Sequence, residues 1–178
     1  MHWAEIEAQQ PRLAALGRRR LADPGVVLVG TIRRDGTPRI SAVEPFFWRD
    51  DLWLPMLLDS LKAKDLIRDP RVLVHSIVTS RDGTVDGGEF MLRGHAVFAD
   101  DSRLHEEVAA AIAAELPWQP KAGKFDLFWV NVEQLASIRW GQNNDQYLTT
   151  WPPGHEQLRR GTSATSVGDP EPWSELLD

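Results

Sequence analysis

Cysteine is absent from the 178 residues. That removes disulfides, thiol nucleophiles and cysteine metal sites together. The five histidines include no pair at zinc-like spacing, and HExxH does not occur. Apolar runs are short, none near the ~20 residues that a bilayer crossing needs. The amino-terminal segment lacks the basic start and apolar stretch of a secretory leader. These absences fit a cytoplasmic protein. Excess positive charge is also missing: the net charge of −6 argues against nucleic acid as the main partner. No GxGxxG or GKS/T pattern follows Gly25 to Gly30, so dinucleotide and Walker-type phosphate loops are excluded there. Tyrosine occurs once against eight tryptophans. The tryptophans are scattered, which suits core and subunit-interface positions, with one or two free to stack on a flat ring.

What is present is a run of strand signals. Residues 26–32 and 40–47 are apolar-rich and flank Arg34-Asp35-Gly36-Thr37-Pro38. Asp-Gly between two such runs predicts a tight hairpin, because both residues tolerate positive φ. A turn at Asp50-Asp51 leads into a third apolar run, 52–58, and a fourth spans 72–78. Between the last two lies Ser60-Leu61-Lys62-Ala63-Lys64-Asp65-Leu66-Ile67-Arg68-Asp69-Pro70-Arg71-Val72. This predicts a short helix. Ser60, or Asp59 before it, caps the start by accepting a backbone N–H bond. Asp69-Pro70 ends it, because a residue before proline is pushed toward extended geometry. Lys62 falls in the first turn, where the helix dipole prefers an anion. It is either a solvated surface residue or, with the exposed amides, a ligand for phosphate.

Elsewhere, residues 3–21 suggest a helix interrupted by Pro11, with Arg18-Arg19-Arg20 near its end as a solvated face or an anion patch. Residues 90–98 predict a strand, and 79–88, with Asp82-Gly83 and Asp86-Gly87-Gly88, a mobile loop. A further helix starts at Asp101 or Ser102 and places Leu104, Val108, Ile112 and Leu116 at helical spacing. Residues 118–124 form a loop. Residues 125–132 predict a strand buried on both faces. A last hairpin pairs 136–140 with 146–151. His75 and His95 fall on strands, as structural or pocket-facing residues, and Glu44 is a candidate partner for an arginine across an interface. The ordered domain is expected over 1–155, and the polar remainder, 156–178, as a flexible tail. At least six strands against a few short helices predict a mainly β chain, α+β by content: a small barrel of six to eight strands with peripheral helices.

The order of strand, D-G-x-P hairpin, strand, strand, then S-x-K-A-x-N/D-L-x-x-D-P-R-V resembles the split-barrel flavin-binding family of pyridoxamine 5'-phosphate oxidase. Asp35, Gly36, Pro38, Ser60, Lys62, Ala63, Asp65, Leu66, Asp69, Pro70, Arg71 and Val72 carry it, and it spans about residues 24–151. It implies a split barrel that forms a homodimer, with a cofactor at the subunit interface. It implies FMN or a deazaflavin coenzyme, held by Lys62 as phosphate ligand, with Ser60, Leu61, Ser41, Pro55 and Met56 at aligned cofactor positions. Trp140 matches a tryptophan that packs on the cofactor from the partner subunit. Leu61 and Ser41 stand where the oxidase has phosphate-binding arginines, and Lys64, Arg68 and Arg71 are candidates for replacement charge. The implied activity is oxidoreduction of a small organic substrate, with no catalytic side chain assigned, since the cofactor carries the redox step. The alternative is a non-enzymatic barrel that binds a flavin, a deazaflavin or haem, or one that has lost its cofactor.

Overall fold

The computed structural model describes residues 1–77, 88–115 and 119–177. The 79–88 loop signals lie almost wholly outside these, as do Leu116 and Trp118. Two helices open the chain, α1 (Trp3–Gln9) and α2 (Pro11–Ala22). Pro11 occupies the first turn of α2, where its missing N–H costs nothing, so one interrupted helix becomes two. Their inward side buries Trp3, Ile6, Leu13, Leu16 and Leu21. Gly17 lets α2 approach the sheet: a Cβ there would lie 2.5 Å from the Phe90 ring. Arg18 pairs with Glu7 at 2.6 Å and covers the Phe47 ring.

The strands are β1 (Val27–Ile32), β2 (Pro38–Val43), β3 (Phe46–Trp48), β4 (Asp51–Leu57), β5 (Arg71–Ser76), β6 (Glu89–Phe98), β7 (Phe125–Trp140), β8 (Gln146–Trp151), β9 (His155–Ser163) and β10 (Ser166–Pro172). Helix α3 (Leu61–Arg68) links β4 to β5, and α4 (Ser102–Glu115) links β6 to β7. The sheet runs β10-β9-β8-β7-β6-β5-β1-β2, with β4 joined to β7 and β3 to β4. Among the described residues every pairing is antiparallel. The 40–47 run is two strands rather than one, because Glu44-Pro45 breaks the ladder between them. The predicted 125–132 and 136–140 strands are one continuous β7, with a register shift against Arg93 and Gly94 of β6.

The core lies inside the curl of β2, β1, β5, β6, β7 and β4, with Val29, Leu54, Val74, Leu92 and Phe128 fully buried. β4 pairs with β7 along Trp53–Leu57, and β2 pairs with β1. Among the described residues β2 and β4 share no ladder, although they lie side by side. That seam is the split of the barrel.

The expectation of a flexible tail after residue 155 is corrected. β9 pairs with β8 and β10 with β9, extending the sheet. Leu158 is 1% exposed and Leu176 8% exposed. The Glu156 carboxylate accepts backbone N–H bonds from Glu175, Leu176 and Leu177, and the Thr149 hydroxyl. Arg139 holds Glu175 at 2.7 Å. Low hydrophobicity misled because main-chain pairing and a few anchors, not a new core, hold this segment.

Candidate cofactor-binding cleft

A cleft of about 330 Å3 opens at the seam. Ala42, Val43 and Glu44 form one wall, Pro55, Met56 and Leu57 the other, and Lys62 reaches in from α3. Val26 completes the lining. The opening exists because the two strands leave their facing edges unpaired, and such edges offer backbone N–H and C=O groups to a ligand. Met56 is buried, and Pro55, which lacks an N–H, sits where a ladder bond is not required.

Helix α3 follows a sharp turn in which Asp59 adopts φ 59°. Asp59 donates its N–H to the buried Asp126 carboxylate at 2.8 Å. Ser60 is the N-cap, its hydroxyl accepting from the Ala63 N–H at 3.4 Å. The Leu61 and Lys62 amides have no acceptor within the helix, as for any first turn. Lys62 is half-buried and forms no ion pair among the described residues. An ammonium and free amides at a helix start are a phosphate site in outline. Exposed Glu44 faces the same space and opposes a dianion.

Beneath the helix, Asp65 fixes it to the β1–β2 hairpin. Its carboxylate is buried. It accepts from Arg39 Nε at 2.7 Å, the Thr31 hydroxyl at 3.1 Å and Arg68 at 3.3 Å. Burial raises its pKa, but the bonds from Arg39 and Thr31 and the nearby charge outweigh that, and it lies below the ordinary value. The acid of the motif thus ties the helix that carries Lys62 to the hairpin.

The structure brings Pro55, Met56 and Lys62 into one cleft. Leu61, 64% exposed, turns to the other side of the helix, into a second cleft with Arg33, Arg34, Arg39, Lys64 and Arg68. Two of the candidate replacement charges, Lys64 and Arg68, thus stand beside the seam rather than in it. The third, Arg71, pairs with Asp69 at 2.6 Å. Ser60 serves as cap and lines neither cleft. Ser41 stands opposite Val29 in the β1–β2 ladder and also lines neither. Trp140 ends β7 opposite Gln146, away from the seam of its own chain. Sequence reasoning missed Val26, Ala42, Val43 and Leu57 as lining residues and gave Glu44 a different role. Their signal was available: residues 42–44 align with the edge that faces β4 once the hairpin register is set.

A family model for pyridoxamine 5'-phosphate oxidase matches residues 16–139, more than half of the chain. No curated protein matches. Among solved structures, the heme storage protein HutZ from Vibrio cholerae is 17% identical, with a TM-score of 0.57, over 71% of this chain and 92% of its own. A NimC/NimA family protein from Clostridium acetobutylicum is 14% identical, with a TM-score of 0.55, over 80% and 92%. General stress protein 26 from Bacillus anthracis is 17% identical, with a TM-score of 0.52, over 74% and 93%. At these identities the likeness is one of fold.

Proposed function

The chain belongs to the pyridoxamine 5'-phosphate oxidase family, and from that membership we propose that its seam cleft binds a flat, phosphate-bearing redox cofactor, FMN or a deazaflavin coenzyme, for oxidoreduction of a small organic substrate. The observation that carries this is Lys62, unpaired among the described residues, entering an apolar-walled cleft at a helix start. Lys62 and the first-turn amides would hold the phosphate. Pro55 and Met56 would wall the ring, and the open β2 and β4 edges would meet its polar rim. When bound, the cofactor supplies hydride transfer, so the chain need not supply a nucleophile.

The cleft of a single chain is at the small end for a ligand site, where pockets run roughly 300–1,000 Å3. A second copy completes it in this reading. Leu28, Ile40 and Leu73 are exposed on neighbouring strands, linked through Gly30 and Ala42 by the ladders. Ala42 also lines the cleft, so the apolar face runs to its lip. A homodimer across that face is the form we propose.

A second reading has one observation in its favour. Lys62 is the sole cation lining the cleft among the described residues, and Glu44 opposes it. That suits a looser, non-enzymatic binder of a flavin, a deazaflavin or haem. The test is a titration of the purified protein with FMN, riboflavin, a deazaflavin coenzyme and haem, followed by turnover of the complexes formed. The oxidoreductase reading expects FMN or the deazaflavin to bind more tightly than riboflavin and to be reduced. Binding without reduction by any donor supports the binder; haem binding tightest supports it in its haem form.

A further inference from the structure

The second cleft, on the other flank of α3, is open to solvent and has a volume of about 700 Å3. Among the described residues five cations line it: Arg33, Arg34, Arg39, Lys64 and Arg68. They stand in a chain whose net charge is −6. Grouping like charges costs free energy unless an anion offsets it.

The two carboxylates there do not offset it fully. Asp65 is buried below the surface and bound by Arg39 and Arg68. Asp35 is turned into its own loop, where it accepts the Thr37 hydroxyl at 2.6 Å and the Thr37 N–H at 3.0 Å. Arg33 and Arg34 form no ion pair among the described residues, and Lys64 meets only the exposed Asp59, at 3.4 Å.

Arg39 and Arg68 of the cluster are also held in place. Arg68 donates to the Ile32 carbonyl as well as to Asp65, and Arg39 binds Asp65 through Nε, its terminal nitrogens making no hydrogen bond among the described residues. The hairpin that carries Arg33 and Arg34 is closed by the Arg33 N–H to Thr37 carbonyl bond at 2.9 Å. Fixed guanidinium forks suit planar carboxylates and phosphates.

We propose that this cleft is a second binding site, for a small polyanion carrying two or more phosphate or carboxylate groups. It goes beyond the reading of the seam cleft and does not depend on it, because Lys62 is not part of its lining.

Calorimetric titration of the full chain at constant ionic strength tests this, with inorganic pyrophosphate as the phosphate probe and citrate as the carboxylate probe. Saturable binding of one equivalent per chain is expected for at least one probe, and which one identifies the chemistry. Arg33→Ala with Arg34→Ala should weaken it at least tenfold, and Lys64→Ala, on a separate element, several-fold. Both changes are on exposed side chains, and an unchanged thermal transition verifies folding. Lys62→Ala should change the affinity less than twofold. The proposal is overturned if neither probe saturates, if the arginine variant binds as wild type does, or if Lys62→Ala abolishes binding. FMN binding is measured separately, so loss of one site leaves the other readable.

Discussion

Arg39 of β2 and Asp65 of α3 meet at 2.7 Å, and the carboxylate is buried while the guanidinium keeps contact with solvent. This pair ties the helix that carries Lys62 to the strand that walls the seam. Replacing Asp65 with alanine strips Arg39, Arg68 and the Thr31 hydroxyl of one shared partner. Breaking a fully buried pair costs about 3–5 kcal/mol. Here the arginines are partly solvated, so a loss of about 2–3 kcal/mol in urea unfolding is expected, with weaker cofactor binding. A loss within the ordinary surface range of about 0.5 kcal/mol would show that the pair does not hold the helix.

The same carboxylate sets an acid dependence. Its folded pKa lies below the ordinary 3.8. As pH falls past that value, the unfolded chain takes up the proton first. Stability is therefore fully present above it and is lost as pH drops through the folded value. Asp51 contributes with the opposite sign, since burial raises its pKa against its bond to His2. Asp65→Asn should flatten the acid limb of a denaturation-midpoint profile below pH 3.8. An unchanged limb would assign it to other carboxylates.

The carboxy-terminal strands should be required for folding. Leu158 is 1% exposed, and Leu158→Ala should cost about 2–5 kcal/mol. Limited proteolysis should leave residues 156–172 intact under native conditions. Rapid trimming without loss of the thermal transition would contradict the observed ladder.

The central motif was legible because its signals are local. A serine cap, a helix of eight residues and Asp69-Pro70 all act within one short stretch, and Pro11 divides α1 from α2 in the same way. The carboxy-terminal strands were not legible. Glu156 finds its donors some twenty residues away, and no periodicity announces that. The basic cleft was legible only in part. Lys64 and Arg68 stood out on the helix, but Arg33, Arg34 and Arg39 join them only when the hairpin packs on α3. Leu61 and Lys62 are adjacent in sequence yet serve different clefts, because consecutive helical residues point about 100° apart.

The proposed dimer face makes a direct prediction. Ile40 is 72% exposed and Leu73 42% exposed. Ile40→Glu with Leu73→Glu should leave the fold intact and give a monomer by light scattering, since a charge at the centre of an apolar interface is not easily paired. A wild-type chain that is already monomeric at micromolar concentration would remove the basis for a site completed by a second copy.

The most direct test is the affinity of FMN for wild type and Lys62→Ala at one salt concentration. If Lys62 holds the phosphate, the change should cost about 1.5–3 kcal/mol, as for a hydrogen bond to a charged group. Riboflavin, which lacks the phosphate, should bind both forms alike. Folding should be nearly unchanged, because a cation in the first turn opposes the helix dipole. Equal FMN affinity in the two proteins would place the phosphate elsewhere and contradict the account.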